Sequence, residues 1–149
     1  MDLDEIDRRL VAALQADARA SNKELAARVG LAPSTTLERV RRLVTTGVVR
    51  GFHADVAPEA LGIGLEAMVM IQLQAHSRAQ VEAFHALLRG LPEAVATWYV
   101  GGVDDFIVHV AVRDTRHLHD LLMDRITSRP EVARVRTELV FAHTRRWVR

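Results

Sequence analysis

The period of the apolar positions changes along the chain. Up to about residue 46 they recur at helical spacing, whereas from about residue 65 short alternating or continuous apolar runs are interleaved with two more helical stripes. Leu3, Ile6, Leu10 and Leu14 share one side of a helix predicted over residues 3–15, with Asp2 and Glu5 spaced as a capping box at its start. Ser21 and Glu24 repeat that start signal. Leu25, Ala26 and Val29 then supply the buried stripe, and Gly30 the stop, of a short helix over 22–29. Pro33 suits the first turn of a third helix, predicted over 33–46, with Thr36, Leu37, Val40, Leu43 and Val44 as its apolar stripe and Gly47 as its end. Its other face carries Ser34, Thr35, Glu38 and Arg42, flanked by Arg39 and Arg41. Two short helices joined by a turn containing Gly30 have the layout of a helix-turn-helix. A plain three-helix bundle is the alternative, and the polar, basic face of the third helix favours DNA binding over it.

Residues 48–56 are β-prone and carry Arg50, which predicts a short strand or wing touching a phosphate. Residues 57–64 mix proline and glycine and are expected to link a domain over 1–56 to one over 65–149. In the second domain, strands are predicted over 66–74, 94–100, 105–112 and 132–142, and helices over 78–89 and 115–127. That order, β-α-β-β-α-β, is ferredoxin-like. The expected fold class is therefore α+β, a winged helix-turn-helix followed by a ferredoxin-like domain.

Composition narrows the chemistry. A net charge of +1 does not by itself point to nucleic acid, and residues 1–60 hold equal numbers of cations and anions. Within 33–50, however, Arg39, Arg41, Arg42 and Arg50 face only Glu38, a local basic patch of the kind a DNA-facing helix presents. A solvated helix face would look the same by charge alone. The absence of cysteine excludes disulfides, thiol catalysis and cysteine-based zinc sites. No apolar run approaches the roughly 20 residues of a membrane span, and the acidic start is unlike a signal peptide, so a cytoplasmic protein with no membrane partner is expected.

Few other clusters carry chemistry. Gly101-Gly102-Val103-Asp104-Asp105 lies between two predicted strands and reads either as a tight turn or as a loop whose amides and Asp104 hold a small polar ligand. Gly62-Ile63-Gly64 lacks the third glycine and the preceding strand of a dinucleotide fingerprint. His117 and His119 are two apart on a helix and diverge, so no shared metal is expected. No Ser/His/Asp arrangement is legible, and neither an enzyme activity nor a cofactor is expected. Trp98, Phe141 and Trp147 suit core or subunit contacts better than base stacking.

Leu3-Asp4-Glu5-Ile6-Asp7-Arg8-Arg9-Leu10, Leu14-Gln15, Glu24-Leu25-Ala26, Val29-Gly30-Leu31, Arg39-Val40, Arg42-Leu43 and Gly47-Val48-Val49 resemble the start of the leucine-responsive regulator/AsnC (feast/famine) family. The resemblance continues through Gly51-Phe52, Leu61-Gly62, the turn from Gly101 to Asp104, and Thr137 on the last strand. It implies a sensing domain that pairs through its sheets into homodimers, which assemble further into octamers or similar dimer-of-dimers rings. It also implies an amino acid or related metabolite bound near Val100, Gly101, Gly102, Val103, Asp104 and Thr137, altering assembly or DNA affinity. This chain has Ala32 where the family often has a capping serine, leaving Ser34 to serve. Gly102 and Val103 replace an acidic and an aromatic residue of the turn. On this reading Ser34, Thr35 and Thr36 lie near base edges of double-stranded DNA, while Arg39, Arg41, Arg42 and Arg50 hold phosphates or a guanine beside Glu38. Two alternatives are a ligand-independent architectural protein that wraps DNA and a small metabolite-binding enzyme.

Overall fold

The computed structural model describes residues 2–74 and 77–144, so Trp147 and the end of the expected second domain lie outside the described residues. The chain divides into two compact units, the first built on residues up to Asp55 and the second on Val56–Thr144.

The first unit holds α1 (Glu5–Ala16), α2 (Asn22–Val29) and α3 (Pro33–Thr45). Leu10, Leu14, Leu25, Val29 and Leu43 form its buried core, with Ile6 and Val40 packed against them. Each fully buried side chain of this kind contributes roughly 1.5–3 kcal/mol. α1 starts two residues later than its sequence pattern suggests. Its N-cap is Asp4, whose side chain accepts from the Asp7 N–H, so the Asp2/Glu5 capping box is not the one formed. The box at α2 does form: Ser21 Oγ accepts from the Glu24 N–H, and the Ser21 N–H donates to Glu24 Oε2 at 2.7 Å. Hydrogen bonding of its carboxylate by the Ser21 hydroxyl, and then by the Ser21 N–H, holds the Glu24 carboxyl below its ordinary pKa. Gly30 ends α2 in the left-handed region, at φ 74°, where a side chain would be strained, and its N–H closes on the Ala26 carbonyl. Asn22 Nδ2 donates to the Pro33 carbonyl at 2.7 Å, tying the start of α2 to the start of α3.

No strand forms over residues 48–56, so the short strand expected there is not found. Val48 and Val49 pack against the helical core instead, and the Val49 N–H donates to the Leu43 carbonyl, closing the end of α3. Among the described residues no strand pairs with this segment, so its β propensity finds no ladder.

The second unit is a four-stranded antiparallel sheet in the order β2-β3-β1-β4. Its strands are β1 (Leu65–Leu73), β2 (Ala94–Tyr99), β3 (Phe106–Val112) and β4 (Val132–Val140). α4 (Arg78–Arg89) and α5 (Thr115–Leu121) cover one face. Alternation sends Ala67, Val69, Ile71 and Leu73 of β1 and Phe106, Val108, Val110 and Val112 of β3 into that core, against Phe84, Leu88, Leu118 and Leu121. The helix expected over 115–127 is not uniform. After Leu121 it widens into a π-helix, Leu122–Thr127, which buries Ile126 and leaves Met123 exposed. Residues 57–64, expected as a linker, belong to this unit. They hold a turn of 3₁₀ helix, Pro58–Leu61, and the Gly64 N–H donates to the Val112 carbonyl.

The other sheet face is open. The register lines up Trp98, Ile107, Met70 and Arg136 in one row across it, and Ala96, His109, Met68 and Glu138 in the next. Trp98 is 45% exposed there, and Phe141 just beyond β4 is exposed as well. His109 Nε2 is buried 2.5 Å from Glu66 Oε2 but is not aligned for a hydrogen bond with it. Among the described residues no helix is long and apolar enough to cross a membrane, and no cluster of His, Asp and Glu could hold a metal ion.

Candidate nucleic-acid interface and effector turn

α3 is the element on which the sequence places its DNA contacts. Residues three and four apart share a helix face, so Ser34, Glu38, Arg41 and Thr45, all exposed, form the outward stripe. Thr36 and Leu43 form the buried side opposite. Thr36, expected near base edges, is therefore corrected: it has no exposed surface, and its hydroxyl donates to the Ala32 carbonyl at 3.1 Å. Leu37 and Val44, assigned to the apolar stripe, are partly outside it and exposed. Ser34 does not cap α3. The N-cap is Ala32, with no side-chain bond, so amide groups of the first turn lack a side-chain partner.

The arginines of α3 divide by what they touch. Asp7, on the buried side of α1, has a side chain only 4% exposed. Arg39 Nη1 lies 2.9 Å from Asp7 Oδ1 and 2.6 Å from Asp4 Oδ2, and Arg42 Nη2 lies 2.5 Å from Asp7 Oδ2. Leaving a carboxylate out of water without partners would cost several kcal/mol, and here two guanidiniums share it. The Asp7 N–H, then the Arg39 hydrogen bond, hold the Asp4 carboxyl below its usual range. Hydrogen bonds to Asp4 and Asp7 push the Arg39 guanidinium up, keeping it charged. Arg39 and Arg42 were expected to serve DNA. Arg39 is instead turned inward as a tie between α1 and α3, and Arg42 is tethered at one end with half its side chain exposed. Arg41 and Arg50 are exposed, and neither has an ion-pair partner among the described residues. The network was partly legible in sequence, because Asp7 stands three and seven residues before the buried Leu10 and Leu14. An acid in such a stripe needs a cation.

The turn between β2 and β3 is pinned to β1. The Val100 N–H donates to the Asp105 carbonyl, the Asp105 N–H to the Ile71 carbonyl, and the Leu73 N–H to Asp105 Oδ2 at 2.8 Å. Gly102 takes φ 149°, which favours glycine, and Val103 at the tip is exposed. Asp104 Oδ2 accepts from Arg136 Nη2 at 3.2 Å, and Arg136 Nε lies 3.7 Å from Glu138 Oε1. Sequence reasoning missed the tie of Asp105 to β1 and any role for Arg136, since Ile71, Leu73 and Asp104 are distant from them along the chain. Thr137, expected in the same site, pairs with Val69 and so lies on the helix-covered face, opposite Arg136. One protomer does not gather the expected effector residues. Two shallow clefts in this unit, about 400 and 320 Å³, are lined by Arg78, Val81, Glu82, His85 and Tyr99 and by residues around Pro58 and Phe141, and neither is lined by the turn.

Residues 3–44 match the family model of the AsnC-type helix-turn-helix domain, and residues 66–146 match the Lrp/AsnC ligand binding domain. Together with the fold, these define a helix-turn-helix transcriptional regulator. The chain is 45% identical to the HTH-type transcriptional regulator AldR of Mycolicibacterium smegmatis over 97% of this chain and 84% of that one. Two solved structures superpose on it closely. One is a transcriptional regulator/L-Met complex from Neisseria meningitidis (TM-score 0.88, 28% identity, covering 97% of this chain and 94% of that one). The other is a feast or famine regulatory protein from M. tuberculosis complexed with L-methionine (TM-score 0.87, 37% identity, covering 97% and 96%). The chain belongs to the Lrp/AsnC family.

Proposed function

We propose that this regulator, a cytoplasmic protein, lays the outward stripe of α3 in the major groove of double-stranded DNA. We further propose that its assembly or DNA affinity responds to an amino acid or related metabolite. The observation that carries the DNA reading is the stripe itself. Ser34, Glu38, Arg41 and Thr45 are exposed on one side, with Thr35 and Arg50 exposed nearby, and the buried side of the same helix is fixed by Leu43, Thr36 and Arg39. The open sheet face, with Trp98 and Ile107 beside Met70, supports pairing of two copies into a homodimer, and octamers are the further assembly we expect. A two-fold dimer then needs a near-palindromic site with half-sites about one helical turn apart, or a multiple of it. The effector is placed at the turn, against Val100, Gly101, Gly102, Val103 and Asp104, with Thr137 joining from another copy. The separation of Thr137 from Asp104 within one protomer supports a shared site. Two structural relatives hold L-methionine, which makes methionine the first amino acid to try.

Mobility shifts on DNA upstream of the protein's own coding region, across a salt series, test the α3 assignment. Arg41→Ala should lower the slope of log affinity against log salt by about one unit, as removal of a single cation from a phosphate or guanine would. Arg39→Ala should leave the slope of the folded protein unchanged. Equal slopes for wild type and Arg41→Ala would count against it.

A thermal-shift panel of the twenty amino acids tests the sensing reading. A true effector at a hundred times its Kd stabilises the folded state by about 2.7 kcal/mol. Asp104→Ala should abolish that shift, and an intact shift in the variant would move the site elsewhere.

A further inference from the structure

We propose that Glu38 selects a cytosine in the operator, through the amino group that base shows in the major groove. The inference rests on the reading of α3 as the DNA-facing helix. Glu38 is exposed on the outward stripe, between Ser34 and Arg41. Among the described residues it has no ion-pair partner, and two arginines that follow it on the inner side of α3, Arg39 and Arg42, are drawn to Asp4 and Asp7 of α1. The charge of Glu38 is thus not neutralised within the unit.

A bare carboxylate carried toward DNA meets phosphates of its own sign. Its approach is unfavourable unless it accepts a hydrogen bond from a donor in the groove. The major-groove edges offer two amino donors, N4 of cytosine and N6 of adenine. On adenine the N7 acceptor lies beside the amino group and faces the second carboxylate oxygen with a lone pair. On cytosine the neighbour is a C5–H, so the carboxylate meets no opposing acceptor on that base. Arg41 stands three residues on along the same stripe, exposed and without an ion pair among the described residues. Its guanidinium has the paired donors that guanine O6 and N7 accept. Glu38 and Arg41 together therefore suit a cytosine and the guanine of the same or the next base pair. The hydroxyls of Ser34 and Thr35 can donate or accept and discriminate less.

Selection of duplexes from a random pool by the full-length chain tests this, with Glu38→Gln, Glu38→Ala and Arg41→Ala run beside wild type. Wild type should enrich a C·G pair at one position of each half-site. Glu38→Gln should weaken that preference by about ten-fold and move it toward adenine, whose N6 and N7 suit an amide. Glu38→Ala should lose preference at that position only, and both Glu38 variants should bind non-specific DNA several-fold more tightly than wild type, because a repulsive charge has gone. Glutamine and alanine are good helix formers at an exposed position, and a thermal melt confirms that the variants fold. The same base preferences in wild type and both Glu38 variants would overturn the proposal while leaving α3 as the DNA-facing helix. So would a uniform loss of affinity across all sequences, which would mean that Glu38 only orients a neighbour. A wild-type protein that binds no duplex at low salt overturns both readings.

Discussion

Phe106→Ala is expected to destabilise the sheet unit by about 3–5 kcal/mol, the usual range for a buried phenylalanine in a well-packed site. Phe106 opens β3, has no exposed surface, and its ring centroid lies 5.4 Å from Phe84, 5.2 Å from Tyr99 and 5.7 Å from His85. Truncation removes the shared partner of three rings, and the hole lies between α4 and the strands on either side of the turn. Phe84 is itself enclosed, and the backbone of the turn is pinned by Asp105 to Ile71 and Leu73. Urea unfolding followed by circular dichroism gives the free energy. Hydrogen exchange should show reduced protection in β1 and β3 with little change in α1–α3. A loss under about 1 kcal/mol would mean that the site collapses around the smaller side chain.

Asp7→Ala is expected to cost the helical unit about 1.5–3 kcal/mol, somewhat less than breaking a fully buried pair, because both arginines remain in touch with water. The Asp7 side chain is 4% exposed, against 24% for Arg39 and 50% for Arg42. The variant leaves Arg39 with Asp4 alone and frees Arg42. Exchange protection should fall in α1 and α3 together, and Arg39→Ala should add little in the Asp7→Ala background, because the two act as a unit. Full additivity of the two single losses would refute the tie. Acid acts on the same network through Asp4. A carboxylate held below its ordinary pKa contributes stability above its unfolded value, 3.8, and that contribution is lost as pH falls through the lower folded value. Asp4→Asn should therefore flatten the acid limb of unfolding without changing its neutral one.

Much of the fold was legible because its signals are local. Ser21, Glu24 and Gly30 bracket α2 by capping chemistry that depends on neighbours three to five residues away, and the alternation in β1 and β3 follows from one covered face. The misreadings arose where distant partners decide. The segment 48–56 has strand propensity but no ladder to join. Asp2 and Asp4 are both able caps, and the position of Asp7 in the core decides between them. Thr36 fits two readings in sequence, apolar stripe and base contact, and its hydroxyl, closed on Ala32, leaves only the first. The site was less legible than the fold. Arginines at 39, 41 and 42 are equal in a charge count, and only the placement of α1 separates the two that are spoken for from the one without an ion pair among the described residues.

That separation constrains how such a regulator can acquire a new operator. Changes at 39 or 42 alter the packing of α1 as well as any DNA contact, so a drifting or redesigned protein would lose stability before it gained a new preference. Among the described residues, positions 34, 35, 38, 41 and 45 carry no comparable tie, and substitutions there can be sampled singly on an unaltered scaffold. Retargeting libraries should vary those five positions and keep Asp4, Asp7, Arg39 and Arg42 together as an inherited block.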